Sequence, residues 1–237
     1  MTQDSVQFSF LLVATVLIAV LAASSVQGAS IPTCGEDSGT VQLFQPVEHD
    51  LTLESALRQR RSARNFSSRL LSLEEVSQIL WAAQGITDIS SGRRTAPSSG
   101  ATYPITLYVS ANNIDNLEPG LYRYQSKCHR LRLVKPGNHR QNVFDNAMRQ
   151  RWAFTASAVI IFSANASKIA AKYKNHPRDS ALLEAGHISQ NVYLQCTSLD
   201  IGVVAIGGFS RAGMHALLEL PEDEEVIYLN LVGHHLR

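Results

Sequence analysis

Strands separated by helices, with a single β-hairpin among them, predict a layered fold of the α/β or α+β class. Three observations carry that reading. Apolar residues recur every three or four positions at Ala181, Ala185, Ile188, Val192, Cys196 and Leu199, the period of a helix with one buried face. Ser72-Leu73-Glu74-Glu75 places Ser and Glu where they satisfy two free amides at a helix start. Gly120–Tyr124 and Arg130–Val134 read as two strands of a hairpin, joined through Gln125–His129.

The elements follow in chain order. Residues 30–50 hold Pro, Gly and acidic residues without a period and read as a linker or extended arm. A helix opens at Leu53 and ends between Gln59 and Arg61. The capping box opens a second helix, Leu73–Gln84, which Gly85 can close. Ser90–Thr102 is a loop rich in Ser, Gly and Arg. Ile105–Ser110 alternates like a strand, and the hairpin follows. Gln141–Arg151 reads as a helix, Ala158–Phe162 as a buried strand and Ser167–Tyr173 as a short helix. The long helix Arg178–Leu199 carries Glu184, His187 and Asn191 as a polar stripe. Gly202–Ile206 is strand-like and Gly207-Gly208 breaks it. Ser210 can cap a helix over Arg211–Leu218, and Glu225–Val232 is the last strand. No internal repeat is visible.

The chain has 237 residues, 45% hydrophobic and 17% charged, an ordinary globular composition. A net charge of +1 argues against bulk nucleic-acid binding, which needs a broad basic face. The eight His and three Cys show no zinc-type spacing, and no metal is expected. Three Cys cannot build a disulfide framework. Cys196 reads as a packed thiol in a helix, and an exported chain would allow a Cys34–Cys128 bridge.

Val6–Ala23 is an almost unbroken apolar run, followed by small residues that suit a signal-peptidase cut before Ala29. The run is also long enough to span a bilayer. Asp4 and the lack of Lys or Arg before the run depart from the usual signal. A core helix is the alternative, but a run without a polar face suits a core poorly. The expected organisation is a signal peptide or membrane anchor over 1–28, a linker over 29–51 and one domain over 52–237. The protein would be exported or tethered, and cytoplasmic if the leader does not function.

Arg60-Arg61-Ser62-Ala63-Arg64-Asn65-Phe66 packs three guanidinium groups and a hydroxyl into five residues after a helix. Guanidinium groups bind phosphate oxygens through a planar fork of donors. A solvated basic patch is the plain alternative.

Four segments together resemble the FMN-dependent nitroreductase family, in its branch of SagB/ThcOx-type dehydrogenases. They are Arg60–Phe66, Arg94–Pro104, Glu184–Asn191 and Ile206–Phe209, in an order that includes the hairpin. The resemblance spans about residues 52–235. It implies an α+β three-layer fold with a mixed, mostly antiparallel central sheet flanked by helices. It implies FMN, with Arg60, Arg61, Ser62 and Arg64 offering donors to the phosphate and ribityl oxygens. Pro97, Ser98, Ser99 and Gly100 would lie against the isoalloxazine, and Gly207 and Gly208 would end a strand where a side chain would meet the ring. Arg94 would stabilise charge near flavin N1 and O2, and Gln190 would lie near the flavin. Plain turns and a helix face explain several of these residues equally well.

The same branch assigns acid/base work to a Lys-Tyr pair before the Glu-x-Gly-His helix, and Lys172-Tyr173 stands in that place. A surface pair on a Lys-rich helix is the bland alternative. The family's C-terminal phosphate contact is replaced by His234-His235 and Arg237, so His234 or Arg237 would have to substitute. The resemblance further implies a homodimer with FMN at the interface, Arg178–Leu199 being a candidate subunit contact. NAD(P)H is the implied donor. No Gly-x-Gly-x-x-Gly turn marks a nicotinamide domain, so both small-molecule substrates would share one open face in turn. The expected activity is hydride transfer from NAD(P)H to a nitro or quinone acceptor. The alternatives are an azoline-type dehydrogenase using Lys172 and Tyr173, and a flavin-binding redox protein without turnover.

Overall fold

The computed structural model describes residues 34, 35 and 37–236. The expected leader, its cut before Ala29 and Arg237 lie outside the described residues. The elements are β1 (Thr40–Gln42), α1 (Leu53–Gln59), α2 (Leu73–Gln84), β2 (Ile86–Asp88), β3 (Arg93–Arg94), β4 (Ile105–Ala111), β5 (Gly120–Gln125), β6 (Arg130–Pro136), α3 (Arg140–Asn146), α4 (Arg151–Thr155), β7 (Ala158–Asn165), α5 (Ala166–Ala170), α6 (Pro177–Ser198), β8 (Ile201–Ile206), α7 (Arg211–Leu218) and β9 (Glu224–His234).

Seven strands form one sheet in the order β1-β6-β5-β4-β7-β9-β8. All neighbouring strands in it are antiparallel. Parallel pairing enters only at isolated bridges, Ser62 with Val203 and Leu71 with Ile114, among the described residues. The expected mixed sheet is thus antiparallel in its named strands. β7 explains the three layers. All eight of its residues are buried, because alternate side chains enter different cores. Ile160 and Phe162 join the core that holds Ile79, Leu80, Ile188 and Val192 of α2 and α6. Val159 and Ile161 join the core that holds Val143, Ala153 and Met214 of α3, α4 and α7.

Local chemistry sets the ends of the elements. The capping box closes as expected, with Glu75 N–H donating to Ser72 Oγ at 3.1 Å and Ser72 N–H to Glu75 Oε2 at 2.8 Å. Gly85 ends α2 without a left-handed turn (φ −63, ψ 154). A Cβ there would run into the Trp81 ring and carbonyl, so the glycine serves close approach. The expected helix Gln141–Arg151 is two helices. Met148 and Arg149 both sit at φ 53, and Ser210 N–H takes the Asn146 carbonyl at 2.7 Å, so the chain turns and docks α3 on α7.

The expected arm is fastened along its described length. β1 pairs with β6, Phe44 N–H donates to Ser77 Oγ at 3.1 Å, and Gln78 exchanges bonds with the Val47 backbone at 2.9 and 3.1 Å. Cys34 is joined to Cys128, the pairing an exported chain would allow. Cys196 is free and buried. No described helix is long and apolar enough to cross a membrane.

Candidate functional site

α1 stops at Gln59 because Arg60 turns to an extended conformation (φ −48, ψ 123). The chain then crosses one end of β8 and β9. Ala63 N–H donates to Val203 O at 2.9 Å, Ser67 N–H to His234 O at 2.9 Å, and Leu236 N–H to Asn65 O at 3.2 Å. Gly202 and Gly233 face each other across that pair of strands. A Cβ on Gly202 would meet Ala63 Cβ at 3.0 Å, and one on Gly233 would meet Phe66 at 3.1 Å. The two glycines form the saddle over which the cation-bearing segment passes.

Arg60 lies over the Tyr193 ring at 5.2 Å and Arg64 over the Trp152 ring at 5.8 Å. Ser62 Oγ is 3.0 Å from Tyr193 Oη, which accepts from Ala205 N–H at 2.9 Å. Arg61 folds back onto the Arg58 and Arg60 carbonyls at 2.9 and 2.8 Å and so caps α1. Among the described residues, none of these three arginines is in an ion pair. Clustered cations without carboxylates raise the local positive potential and favour an anion.

Gly207 and Gly208 follow β8 on the surface. A Cβ would find only Tyr228 at 4.0 Å or Met148 Sδ at 3.8 Å, and neither residue has positive φ. Nothing inside the fold demands glycine here. The pair leaves a floor on which a flat group can settle closely. Val203 to Gly207 spans ~13 Å of strand. Ser210 caps α7, its Oγ accepting from Gly213 N–H at 3.1 Å.

The second half of the site is the loop after β3. Gly100, Ala101 and Tyr103 have φ of 57, 56 and 44, and Ser98 Oγ holds the turn by accepting from Tyr103 N–H at 2.8 Å. Gly100 has a second constraint, because a Cβ would strike the Tyr173 ring at 2.8 Å and Lys172 Cδ at 2.9 Å. Lys172 Nζ donates to Gly100 O at 2.9 Å. α5 ends at Ala170, one turn earlier than expected, so Lys172 and Tyr173 sit on the turn that follows it. Together with Ser99, Gly100, Lys174 and Ser180 they line an open cleft of about 730 Å³.

Beneath the loop lies a buried polar cluster. Arg94 donates to Gln84 Oε1 at 3.0 Å and stacks over Tyr103 at 4.3 Å. Gln84 Nε2 donates to Glu184 Oε1 at 3.3 Å. Glu184 is 3% exposed. Burial pushes its carboxyl up to about 7, while the Ser98 hydroxyl and Arg94 pull it back. Arg94 Nε and Glu184 Oε2 are buried without hydrogen-bond partners. The polar stripe is therefore divided: Glu184 is buried, His187 exposed and Asn191 half-buried, with Gln190 exposed on the outer face of α6. His234 is buried 3.2 Å from Glu75 Oε2, so it turns towards α2.

The structure brings Arg60 and Ser62 onto Tyr193, and Lys172 and Tyr173 onto Gly100. It hangs the two groups from opposite margins of α6. Glu184 and Tyr193 are nine residues apart on that helix, ~14 Å along its axis and half a turn around it. Sequence reading missed Gln84, Tyr103 and Tyr193. The one signal for Tyr193 is a phenol at the edge of the apolar stripe of α6, where a polar tip finds a partner.

A sequence model of the nitroreductase family matches residues 57–234. A candidate nitroreductase of Methanocaldococcus jannaschii, MJ1384, is 34% identical over 183 residues, 77% of this chain and 92% of that protein. The crystal structure of a candidate nitroreductase from Ralstonia eutropha JMP134 superimposes with a TM-score of 0.73 at 28% identity, covering 88% of this chain and 95% of that one. The E. coli microcin synthetase McbBCD complex with truncated pro-MccB17 bound contains a chain of the same fold, with a TM-score of 0.66 at 21% identity, covering 82% of this chain and 78% of that one.

Proposed function

Because the chain belongs to the nitroreductase family, we propose that it is an FMN-dependent oxidoreductase passing hydride between NAD(P)H and a nitro- or quinone-type acceptor. One observation carries this reading. A cation segment free of carboxylates and an exposed pair of glycines share the strand β8, at Val203 and just past Ile206.

The residues fit that cofactor. A phosphate dianion needs forked donors without competing acids, and Arg60 and Arg64 supply two. Tyr193 can donate its proton to Ser62, which leaves the Ser62 hydroxyl free to donate outward. Arg61 is occupied at the helix end and contributes charge alone. Gly207 and Gly208 offer a floor without Cβ atoms. When bound, FMN would supply the N5 atom that carries hydride.

The separation of the two half-sites along α6 supports a homodimer in which a second copy's Pro97–Gly100 loop completes the site. α6 presents Leu183, 68% exposed, with Gly186 and Gln190 on its outer face, a surface suited to that contact. An apolar leader and a Cys34–Cys128 disulfide support a domain that works outside the reducing cytosol, exported or tethered.

The test is the visible spectrum of the purified protein titrated with FMN. Flavin bands should appear, with the flavin identified as FMN after heat release. Replacing Arg60 and Arg64 together by Ala should weaken FMN on the order of 10–100-fold. Protein that stays colourless with excess FMN would overturn the reading.

A second reading is a dehydrogenase acting on a peptide heterocycle. The contact of Lys172 with Gly100 favours it, as does the fold shared with a chain of the microcin synthetase complex. Lys172→Ala and Tyr173→Phe should abolish heterocycle oxidation but spare quinone reduction.

A further inference from the structure

A cleft of about 940 Å³ lies between the arm, α1, α2 and α6, and none of the residues assigned to the flavin lines it. Trp81, Ala82 and Ile86 form one wall and Leu194 faces them from α6. The roof is the arm. It lies before residue 57, where the family match begins, yet it is firmly fastened. Gln78 exchanges bonds with the Val47 backbone at 2.9 and 3.1 Å, β1 pairs with β6, and Cys34 is joined to Cys128. Val47 and Leu53 are 62% and 60% exposed in that roof. Trp81 is held as well, its carbonyl accepting from Gly85 N–H at 2.6 Å and from Thr95 Oγ1 at 3.2 Å.

We propose that this cleft binds a neutral, flat aromatic compound bearing carbonyl oxygens, a compound of the quinone class. Charge selects a neutral ligand. No Lys or Arg lines the cleft, and its one carboxylate is Glu48, so an anion there would lose its water and find no partner. The cleft at Lys172 and Lys174 has the opposite character. Hydrogen bonding selects a ligand with acceptor oxygens. Asn191 and Gln195 enter the cleft one turn apart on α6. The Asn191 amide has no partner among the described residues. Gln195 Oε1 accepts from Gln78 Nε2 at 3.3 Å, which leaves Gln195 Nε2 to donate. Shape selects an aromatic ring, because the half-exposed Trp81 offers a face for offset stacking. The volume is near the top of the range for ligand clefts, roughly 300–1,000 Å³. It exceeds what a bare ring fills, so an apolar substituent can cover Val47 and Leu53.

The inference rests on the proposed function only in making the bound compound the electron acceptor. The cleft adjoins the loop half of the site. Thr95, beside Arg94 in the chain, lines it. Asn191 follows Glu184 by seven residues on α6, about two turns along the same margin of the helix. A quinone held there is separate from the anionic NAD(P)H, whose phosphates find cations only elsewhere.

The experiment is a calorimetric titration of the purified protein with menadione, a neutral naphthoquinone, without FMN and with FMN in excess. Menadione should bind under both conditions. Ser198→Trp places a ring into the cleft from a half-buried position on α6 and should weaken binding by at least about 10-fold. Asn191→Ala removes a side chain without a partner, so it should leave unfolding unchanged and weaken menadione about 3–10-fold. A naphthoquinone sulfonate should bind at least about 10-fold more weakly than menadione. Should Ser198→Trp fail to fold, Asn191→Ala decides. No binding at about 1 mM menadione, or wild-type affinity in the folded variants, overturns the proposal. Ser198→Trp that splits a dimer into monomers on sedimentation assigns the cleft to a second copy and overturns it too. Menadione binding lost in these variants of a protein that never takes FMN overturns the proposed function and leaves the cleft standing.

Discussion

Ser62 and Tyr193, 131 residues apart in sequence, bring their hydroxyls to 3.0 Å. That bond ties the cation-bearing segment to α6, and Ala205 N–H holds the same phenol at 2.9 Å. Tyr193→Phe leaves the Ala205 amide without its acceptor and frees Ser62. A loss of about 1–2 kcal/mol in urea unfolding is expected, with FMN affinity several-fold weaker. Ser62→Ala on top of it should add little, because the pair acts through one bond. Additive losses in the double variant would show that the bond does not couple them.

Four glycines near this segment separate a structural role from a binding one. Gly202→Val would drive a Cβ into Ala63 at 3.0 Å and the Gly233 carbonyl at 3.1 Å, so a loss of about 1–3 kcal/mol is expected from overpacking. Gly208→Val meets nothing nearer than Met148 Sδ at 3.8 Å. That variant should unfold as wild type does, yet lose the visible flavin bands. If Gly208→Val binds FMN as wild type does, the exposed glycines are not the floor of the site.

The parts of the molecule governed by local chemistry were legible in the chain. The Ser72 cap, the hairpin and the apolar period of α6 each follow from neighbours a few residues away. The two-sided burial of β7 also shows, as a run with no polar face. What was not legible depends on distant partners. Met148 and Arg149 adopt left-handed turns because Ser210 takes the Asn146 carbonyl, and no local pattern announces that. Arg61 looked equivalent to Arg60 and Arg64, but its position beside the last turn of α1 lets it cap the helix. Glu184 and His187 shared one apparent stripe. Glu184 falls between Ala181 and Ile188 on the buried face of α6, where it meets Gln84 of α2, and His187 turns away from that face.

Glu184 should also mark the pH dependence of folding. Its carboxyl lies near 7 in the folded protein against 4.5 for the free side chain, so the folded state binds the extra proton between those values. Stability from this group is intact below about pH 4.5 and falls as pH rises through 7, by at most about 3 kcal/mol. His129, lowered by burial, acts in the opposite sense and loses stability as pH falls through its unfolded value. The difference between wild type and Glu184→Gln isolates the first effect. Chemical unfolding at several pH values should show that difference growing towards alkaline pH. Parallel curves would place Glu184 ionised in the fold at all those values.

The Cys34–Cys128 link closes a separation of 94 residues and pins the arm to the tip of the β5–β6 hairpin. Near it, Gln42 Nε2 donates to the Cys128 and His129 carbonyls at 3.1 and 3.0 Å. His129 reaches on to Phe44 O at 2.8 Å and to Tyr124 at 2.8 Å. Cutting the link therefore loosens the hydrogen-bonded run from Gln42 through His129 to Tyr124. Cys34→Ser should cost about 2–4 kcal/mol in unfolding under non-reducing conditions. Reductant should lower wild-type stability to the level of the variant and leave the variant unchanged. If the protein is exported, wild type recovered from its own compartment should show no free thiol at these two positions by mass spectrometry, while buried Cys196 becomes reactive only on unfolding. Free thiols at both positions in protein from that compartment would argue for a reducing environment and against the exported reading.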